Sequence, residues 1–301
     1  MKKVLIIVGP TGAGKSEFSI ELAKRFNGSI ISGDSIQVYK GLNIGSAKIT
    51  EKEMQNIDHY GIDILENTDN YSVADFQKLA RNYIDIIIKQ NKLPMIVGGT
   101  GLYIKACLYD YNFIKQETNE VEDDYDTKTN EELYSLLEEV DFESTKKIHI
   151  NNRKRVIRAL RLKNLGKSKS ELESLQKKEL IYDAFIVGCS MPRDLLYERI
   201  NQRVIKMIEL GLEKEIKSLL DSGINFDNQS MQGIGYKEWK EYFEGNIDIN
   251  EVIRLIQRNS RSFAKRQYTW FNNQMEVNWI NMLDDKEIEY ISTRIEQWIK
   301  D

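Results

Sequence analysis

The stretch Lys3-Val4-Leu5-Ile6-Ile7-Val8-Gly9-Pro10-Thr11-Gly12-Ala13-Gly14-Lys15-Ser16 decides the reading of the fold. Residues 3–8 are an apolar run rich in β-branched side chains, as expected of a strand buried on both faces. A glycine-rich turn follows, and the spacing then predicts an amphipathic helix over 15–26. Gly9, Pro10, Thr11, Gly12, Ala13, Gly14, Lys15 and Ser16 together match the phosphate-binding loop pattern in full. Its glycines let backbone N–H groups converge on phosphate oxygens at a helix N-terminus, where the helix dipole favours an anion. Lys15 is placed to reach a terminal phosphate and Ser16 to ligate a magnesium ion. The pattern is also that of nucleotide-binding and ATP-binding loops, and it does not by itself choose ATP. The bland alternative is a glycine-rich turn with no ligand.

Further strands are expected at 29–33, 94–97 and 184–187, with a helix near 72–90 between the first two. Strands alternating with helices predict an α/β fold: a P-loop-type parallel sheet with helices on both faces. From Pro192 the pattern is almost wholly helical, with breaks at Gly211 and Gly245. Asp248 is a candidate cap for a long final basic helix, and residues 276–280 a candidate return to the sheet. The 301 residues carry 41% hydrophobic and 30% charged side chains, enough for a packed core. No run approaches the roughly 20 apolar residues of a membrane helix, and residues 3–8 read as strand, not signal peptide. Two cysteines, Cys107 and Cys189, and two histidines, His59 and His149, give neither a zinc spacing nor a disulfide framework. A reducing, cytoplasmic compartment is therefore expected.

The net charge of −4 conceals segregation. Residues 117–143 hold twelve acids, Glu117, Glu120, Glu122 and Asp123 among them, against Lys128 alone. Residues 146–169 then hold ten Lys or Arg and no acid, and residues 254–266 are a second acid-free basic stretch. The switch marks 112–180 as a small helical insertion, leaving 1–111 and 181–301 as the catalytic core with a helix-rich C-terminal half.

Nucleotide-hydrolysing P-loop proteins usually carry a magnesium-organising Asp at the end of a neighbouring strand. Here the strand at 94–97 ends in Gly98-Gly99-Thr100-Gly101, and the acid at a strand end is Asp34. Either Asp34 serves magnesium, as in a kinase, or the site handles a diphosphate without hydrolysing it. A carboxylate at that edge can take a proton from an incoming nucleophile, and Ser35 and Gln37 can bond a polar acceptor; Asp34 can equally cap the next turn. Thr100 lies where backbone can approach a ligand closely, and is also a candidate N-cap. Arg199 and Arg203, four apart, share a helix face and can clamp a diphosphate or stay solvated. The cluster Arg153-Lys154-Arg155…Arg158…Arg161 forms one basic face. Arg254, Arg258, Arg261 and Lys265, beside Arg266, Tyr268, Trp270 and Phe271, form another. Such faces neutralise nucleic-acid phosphates or are simply solvated. The three aromatics suit core positions better than base platforms, and the two histidines read as structural.

From the first strand to about Asn272 the sequence resembles the tRNA dimethylallyltransferases, also called tRNA isopentenyltransferases. The resemblance rests on Gly9–Ser16, on Asp34-Ser35-Ile36-Gln37-Val38-Tyr39-Lys40-Gly41 with Ile44-Gly45-Ser46-Ala47-Lys48, and on Tyr71-Ser72-Val73-Ala74-Asp75-Phe76. It rests further on Val97-Gly98-Gly99-Thr100-Gly101-Leu102-Tyr103, residues 152–160 and 199–204, Ile234-Gly235-Tyr236-Lys237-Glu238, and Ala264-Lys265-Arg266-Gln267-Tyr268-Thr269-Trp270-Phe271. It implies a monomeric enzyme moving a dimethylallyl group from dimethylallyl diphosphate to N6 of the adenosine 3′ to the anticodon. The P-loop would hold the donor diphosphate, with magnesium at Ser16. Lys15, Arg199 and Arg203 would stabilise the leaving pyrophosphate, Asp34 would act as general base, and Thr100 would position the reacting groups. Asp34, Ser35, Ile36 and Gln37 would meet the flipped adenine. Lys154, Arg155, Val156, Ile157 and Arg158 would contact the tRNA anticodon stem-loop. So would Gln232, Gly233, Ile234, Gly235, Tyr236 and Lys237, and Arg258, Arg261, Lys265 and Arg266. The chain departs from the family in its short acidic 112–143, in Asn151 before the basic block where proline is usual, and in Gly233 where a larger residue is common.

Three other activities share parts of this pattern. An isopentenyltransferase acting on free AMP uses the same loop and base but needs no basic helix. A small-metabolite kinase would turn over ATP and leaves the Gly98 and Lys265 blocks unexplained. An RNA-binding module with a vestigial loop would not need Lys15, Ser16 and Asp34 together.

Overall fold

The computed structural model describes residues 1–110, 124–166, 168, 170–171 and 179–301. The acids Glu117, Glu120, Glu122 and Asp123 lie outside the described residues. Six strands form one parallel sheet: β1 Lys3–Val8, β2 Gly28–Ser32, β3 His59–Tyr60, β4 Leu93–Gly98, β5 Asp183–Ser190 and β6 Asn278–Asn281. Their order is β3-β2-β4-β1-β5-β6, so β1 lies inside the sheet between β4 and β5. Ile6 pairs with Ile96 on one side and Ile186 on the other.

Because successive strand residues face opposite ways, β1 feeds two cores. Val4, Ile6 and Val8 join Phe76, Ala80, Ile84 and Ile87 of the helix Val73–Lys89 and Ile104 of the helix Gly101–Leu108. Leu5 and Ile7 join Phe18 and Leu22 of the helix Lys15–Arg25. Helices therefore cover both faces, and residues Val4 to Val8 are all fully buried. The helix Val73–Lys89 starts in a capping box: Ser72 accepts from Asp75 N–H while the Asp75 carboxylate accepts from Ser72 N–H.

The basic helix is Ile249–Gln274, capped by Asp248, whose Oδ1 accepts from Glu251 N–H at 2.9 Å. It is not the final helix. After β6 comes Asp285–Lys300, whose Ile291 and Ile295 seal the Leu5–Ile7 face. Its apolar residues recur at helical spacing, but the short strand and turn just before it masked its start. Gly211, at φ +94°, ends the helix Arg193–Glu209 and begins Leu212–Asp221. The two-residue β3 at the sheet edge has too little alternation to be read from sequence.

The described chain separates into two compact units, Met1–Tyr109 with Leu180–Asp301, and Asp110–Glu179. The smaller unit packs Leu133 and Leu137 of the helix Asn130–Val140 against Val156, Ile157 and Leu160 of the helix Arg153–Asn164. Asp141 joins its parts. Against the upward pull of burial, hydrogen bonds from Ser144, Ser168 and Ser170 hold the Asp141 carboxyl far below the usual carboxylate range. Arg153 spends its guanidinium on the backbone carbonyls of Tyr125, Asp126 and Lys128, so it is a brace and not part of the open basic face.

Candidate active site at the carboxyl edge of the sheet

In a parallel sheet every strand presents its carboxyl end to one edge. Ligands bind there, between neighbouring strands whose crossovers leave in opposite directions. β1 is followed by residues 9–16, β2 by Asp34 and β4 by Thr100, so the three candidate segments share that edge. The helix Lys15–Arg25 starts at Gly14 in the left-handed region, φ +87°, with no side-chain cap. Its first-turn N–H groups are thus left for an anion. The loop is shaped by close approach as well: a Cβ on Gly9 would lie 2.5 Å from the Cys189 carbonyl oxygen.

Lys15 Nζ donates to the Pro10 carbonyl at 2.8 Å. Burial brings its ammonium down to about 8, with the Arg203 cation pushing the same way and Asp34 opposing. Arg203 Nη1 donates to Thr11 Oγ1 at 3.3 Å. Burial also pulls the Arg203 guanidinium below its ordinary value, and the Asp34 and Glu53 carboxylates pull it back. Lys15, Thr11, Arg203 and Asp34 are therefore one electrostatic cluster at the loop.

Arg199 is elsewhere. It is exposed and lines a concavity of about 380 Å³ with Leu195, Glu198, Gln202 and Leu283. The spacing of four put both arginines on one helix face, but only Arg203 bonds the loop. One turn along, Leu196 and Ile200 approach Gly12.

Asp34 Oδ1 accepts from Ile36 N–H at 2.8 Å and Gln37 N–H at 3.2 Å. The turn-capping role is real, and it occupies one carboxylate oxygen, leaving Oδ2 for other chemistry. Ser35 is half-buried in the same bend. Gln37 is held between the Ser32 hydroxyl and the carbonyls of Ser46 and Ala47. Thr100 occupies the N-cap position of Gly101–Leu108, yet its hydroxyl makes no cap bond. Behind these residues a Cβ on Gly98 would meet the Gly33 carbonyl at 2.4 Å, so β2 and β4 nearly touch where Asp34 and Thr100 begin.

Several residues expected to meet tRNA have no side chain to offer. Tyr236 is fully buried, and Val156 and Ile157 belong to the smaller unit's core. The helix period and the turn at Gly235 set these three side chains inward, so any contact they make with RNA is through their backbone. Ile36 packs against Gly233, where a Cβ would lie 2.9 Å from Ile36 Cγ1, which accounts for the glycine at 233. Gly235 sits at φ +100° over the Gly45 carbonyl, and Ile234 is half-buried. Exposed side chains remain at Lys154, Arg155 and Arg158, at Gln232 and Lys237, and at Arg258, Lys265 and Arg266. Arg261 is partly buried and bonds Asn201. Arg254 is paired with Glu251 at the helix start and drops out of the open face. Phe271 is core, and Trp270 covers Gly101, where a Cβ would lie 2.1 Å from its ring.

Sequence reasoning missed two arrangements. The Glu215 carboxylate accepts from the N–H groups of Asn43, Ile44 and Gly45 and from the Tyr236 hydroxyl, and that hydroxyl accepts from Ser46 N–H. This fixes the 43–47 loop that in turn holds Gln37. An acid on an amphipathic helix carries no signal for such a role. The other is the buried amide of Gln267, within bonding distance of Thr11 and Gly99.

For a magnesium ion, Ser16 offers an exposed hydroxyl in the first helical turn. Among the described residues no group of three or more His, Cys, Asp or Glu is gathered to cage a metal. That donor set fits magnesium that arrives on a diphosphate and keeps its waters. Among the described residues no helix is long and apolar enough to cross a membrane.

Residues 37–274 match the family model described as IPP transferase, and residues 2–66 match one described as isopentenyl transferase. The chain is 48% identical over 292 residues to a tRNA dimethylallyltransferase of Bacillus subtilis, covering 95% of this chain and 93% of that protein. It is 48% identical over 301 residues to one of Bacillus cytotoxicus, covering 98% and 95%. A tRNA delta(2)-isopentenylpyrophosphate transferase structure from Staphylococcus epidermidis is 42% identical, with TM-score 0.74, covering 99% of this chain and 100% of that one. A eukaryotic dimethylallyltransferase solved acting on tRNA is 28% identical, with TM-score 0.80, covering 94% and 75%.

Proposed function

This chain belongs to the IPP transferase family, and from that premise we propose how it transfers a dimethylallyl group to tRNA. Its activity is tRNA modification by dimethylallyl transfer, a prenyl transfer. The proposal concerns donor, acceptor atom and residue roles. The donor is dimethylallyl diphosphate and the acceptor is N6 of the adenosine 3′ to the anticodon. The observation that carries this is the shared edge: an anion cradle at 9–16 beside Asp34 and Thr100, with Gly98-Gly99 where a nucleotide-hydrolysing loop would have its Asp.

The loop N–H groups, Lys15 and Arg203 bind the diphosphate and stabilise the charge that grows as the allylic C–O bond breaks. Ser16 would hold a magnesium ion arriving with the diphosphate, and such an ion would supply further charge neutralisation. N6 attacks the allylic carbon, and its proton passes to Asp34, whose Oδ2 is free of turn bonds. Thr100 orients the reacting groups through its uncommitted hydroxyl. Arg199, turned to solvent, assists entry of the anionic donor. Adenine leaves the stack because a stacked base cannot bring N6 to a buried carbon. It meets Asp34, Ser35, Ile36 and Gln37, and the segment 232–237, whose Gly233 packs on Ile36, supports that turn from behind and offers Gln232 and Lys237 to the tRNA. The unit 110–179 grips the anticodon stem-loop through Lys154, Arg155 and Arg158, while Arg258, Arg261, Lys265 and Arg266 bind its phosphates.

The test is incubation with radiolabelled dimethylallyl diphosphate, magnesium and unmodified tRNA, beside reactions offering AMP instead, and ATP alone. Label is expected in the adenosine 3′ to the anticodon. Label in AMP alone would move the chain to free-nucleotide chemistry, and ATP turnover without transfer would make the loop a kinase's.

A further inference from the structure

We infer that Gln267 is the positioning residue that sets the spacing between the diphosphate cradle and the acceptor side of the site, an inference that rests on the transfer reading above. Gln267 lies in the helix Ile249–Gln274 and is 5% exposed. Its Oε1 accepts from Thr11 N–H at 3.1 Å, and its Nε2 donates to the Gly99 carbonyl at 3.0 Å. The two backbone groups have opposite polarity, so the amide has one workable orientation: turned over, it would set N–H against N–H and oxygen against oxygen. Both ends of the side chain are therefore committed.

What these ends touch matters. Thr11 is the cradle residue whose hydroxyl takes the Arg203 guanidinium. Gly99 immediately precedes Thr100, and the strand ends beside it are locked to the turn bearing Asp34, since Gly33 N–H donates to the Val97 carbonyl at 2.8 Å. One amide thus ties the end of β1 to the end of β4, and through β4 to β2. The fit is tight: a Cβ at Gly99 would lie 2.0 Å from Gln267 Nε2. No side chain at 99 is compatible with the amide where it stands.

The same helix links this clamp to the proposed RNA face. Lys265 is exposed two residues before the buried Gln267, about 200° around the helix axis. Contacts on the outer face and the spacing of the cradle on the inner face are then fixed by one rigid element. A displacement of about 1 Å between donor and acceptor groups costs about 10²-fold in rate, and Gln267 is the side chain placed to prevent it.

The experiment compares wild type, Gln267→Met, which matches the length without donor or acceptor, and Gln267→Glu, which keeps the acceptor toward Thr11 but faces oxygen to the Gly99 carbonyl. Transfer from labelled dimethylallyl diphosphate to unmodified tRNA is measured at saturation, with tRNA affinity by filter binding. The expected result is a kcat lower by about 10²-fold in both variants, with tRNA KM and affinity within about two-fold of wild type. Gly99→Ala is measured alone and in a Gln267→Ala background. It should lower kcat alone and cost little more in the double variant, because the clash is with the amide. A kcat within about three-fold of wild type in Gln267→Met, or tRNA affinity falling in step with kcat and melting temperature, would overturn the inference. So would additive losses in the Gly99 and Gln267 pair. Wild-type protein that transfers nothing would instead overturn the transfer reading itself.

Discussion

At the scale of single residues, the site is a set of charges whose burial differs. Asp34 holds its turn with one carboxylate oxygen, and the other is the one proposed to take the N6 proton, so the two roles separate by substitution. Asp34→Asn keeps an oxygen toward Ile36 and Gln37 N–H but removes the base. Transfer by Asp34→Asn is expected to fall by about 10²–10⁴-fold, with tRNA affinity near wild type; a loss of affinity with normal kcat would remove Asp34 from the chemistry. Lys15 makes a second prediction. Its folded value of about 8 lies below the ordinary lysine range, so the free site releases that proton as pH rises through 8. A bound anion favours the charged form, and its affinity is tied to that proton. Inorganic diphosphate binding, followed by calorimetry, should weaken above pH 8 by up to about tenfold per unit, and this Lys15-dependent part should vanish in Lys15→Met. For folding the sign is opposite: the unfolded chain holds the Lys15 proton between about 8 and 10.5, so this group's contribution to stability rises with pH there. Neither cysteine takes part, since burial pushes both thiols up to about 12.

At the scale of elements, the helix Ile249–Gln274 is two-faced: Val252, Ile256 and Phe271 are core, while Arg258 and Lys265 are exposed. Neutralising both as Arg258→Gln and Lys265→Gln should weaken tRNA binding. It should also reduce the slope of log affinity against log salt by about 0.7–0.9 per charge removed. Unchanged binding at low salt would make the face merely solvated. The loop 43–47 is the second telling element. Glu215 gathers three of its N–H groups, and a Cβ on Gly45 would meet the Tyr236 ring at 2.5 Å. Tyr236 is anchored by its own hydroxyl and has no room to retreat. Gly45→Ala should therefore cost about 1–3 kcal/mol in denaturant unfolding. A Gly45→Ala variant as stable as wild type would show that the loop repacks freely.

At the scale of the whole molecule, two hydrophobic cores flank the sheet and a third belongs to the Asp110–Glu179 unit. The small unit has few apolar residues and leans on the Asp141 network. The sign of its pH dependence follows from the folded carboxyl being held low. The stabilisation is present above the unfolded value near 3.9 and is lost as pH falls below about 4. Asp141→Asn should cost about 1–3 kcal/mol at pH 7. Hydrogen exchange should show faster opening within 124–171, and the deficit should shrink below about pH 4. An equal deficit at pH 3 and pH 7 would mean that shape, not charge, holds the network.

The first strand, the loop and the helix after it were legible because their signals are local. An apolar run, glycines needed at positive φ and an amphipathic period all sit within 25 residues of one another. Asp34 and Thr100 were legible for the same reason, each directly following a strand. The distinction between Arg199 and Arg203 was not, because a spacing of four says which helix face they share and nothing of which one meets the loop. Nor was the burial of Tyr236, which depends on how the 43–47 loop lies against it. Gln267 is the clearest case: its partners stand 256 and 168 residues away in the chain. Sequence by itself determined which residues carry charge and where the glycine-rich loop leads into its helix, since those are properties of residue type and short spacing. Tertiary structure alone decided which of them touch, because contacts between distant segments are set by how the sheet orders its strands and how helices pack across its edge.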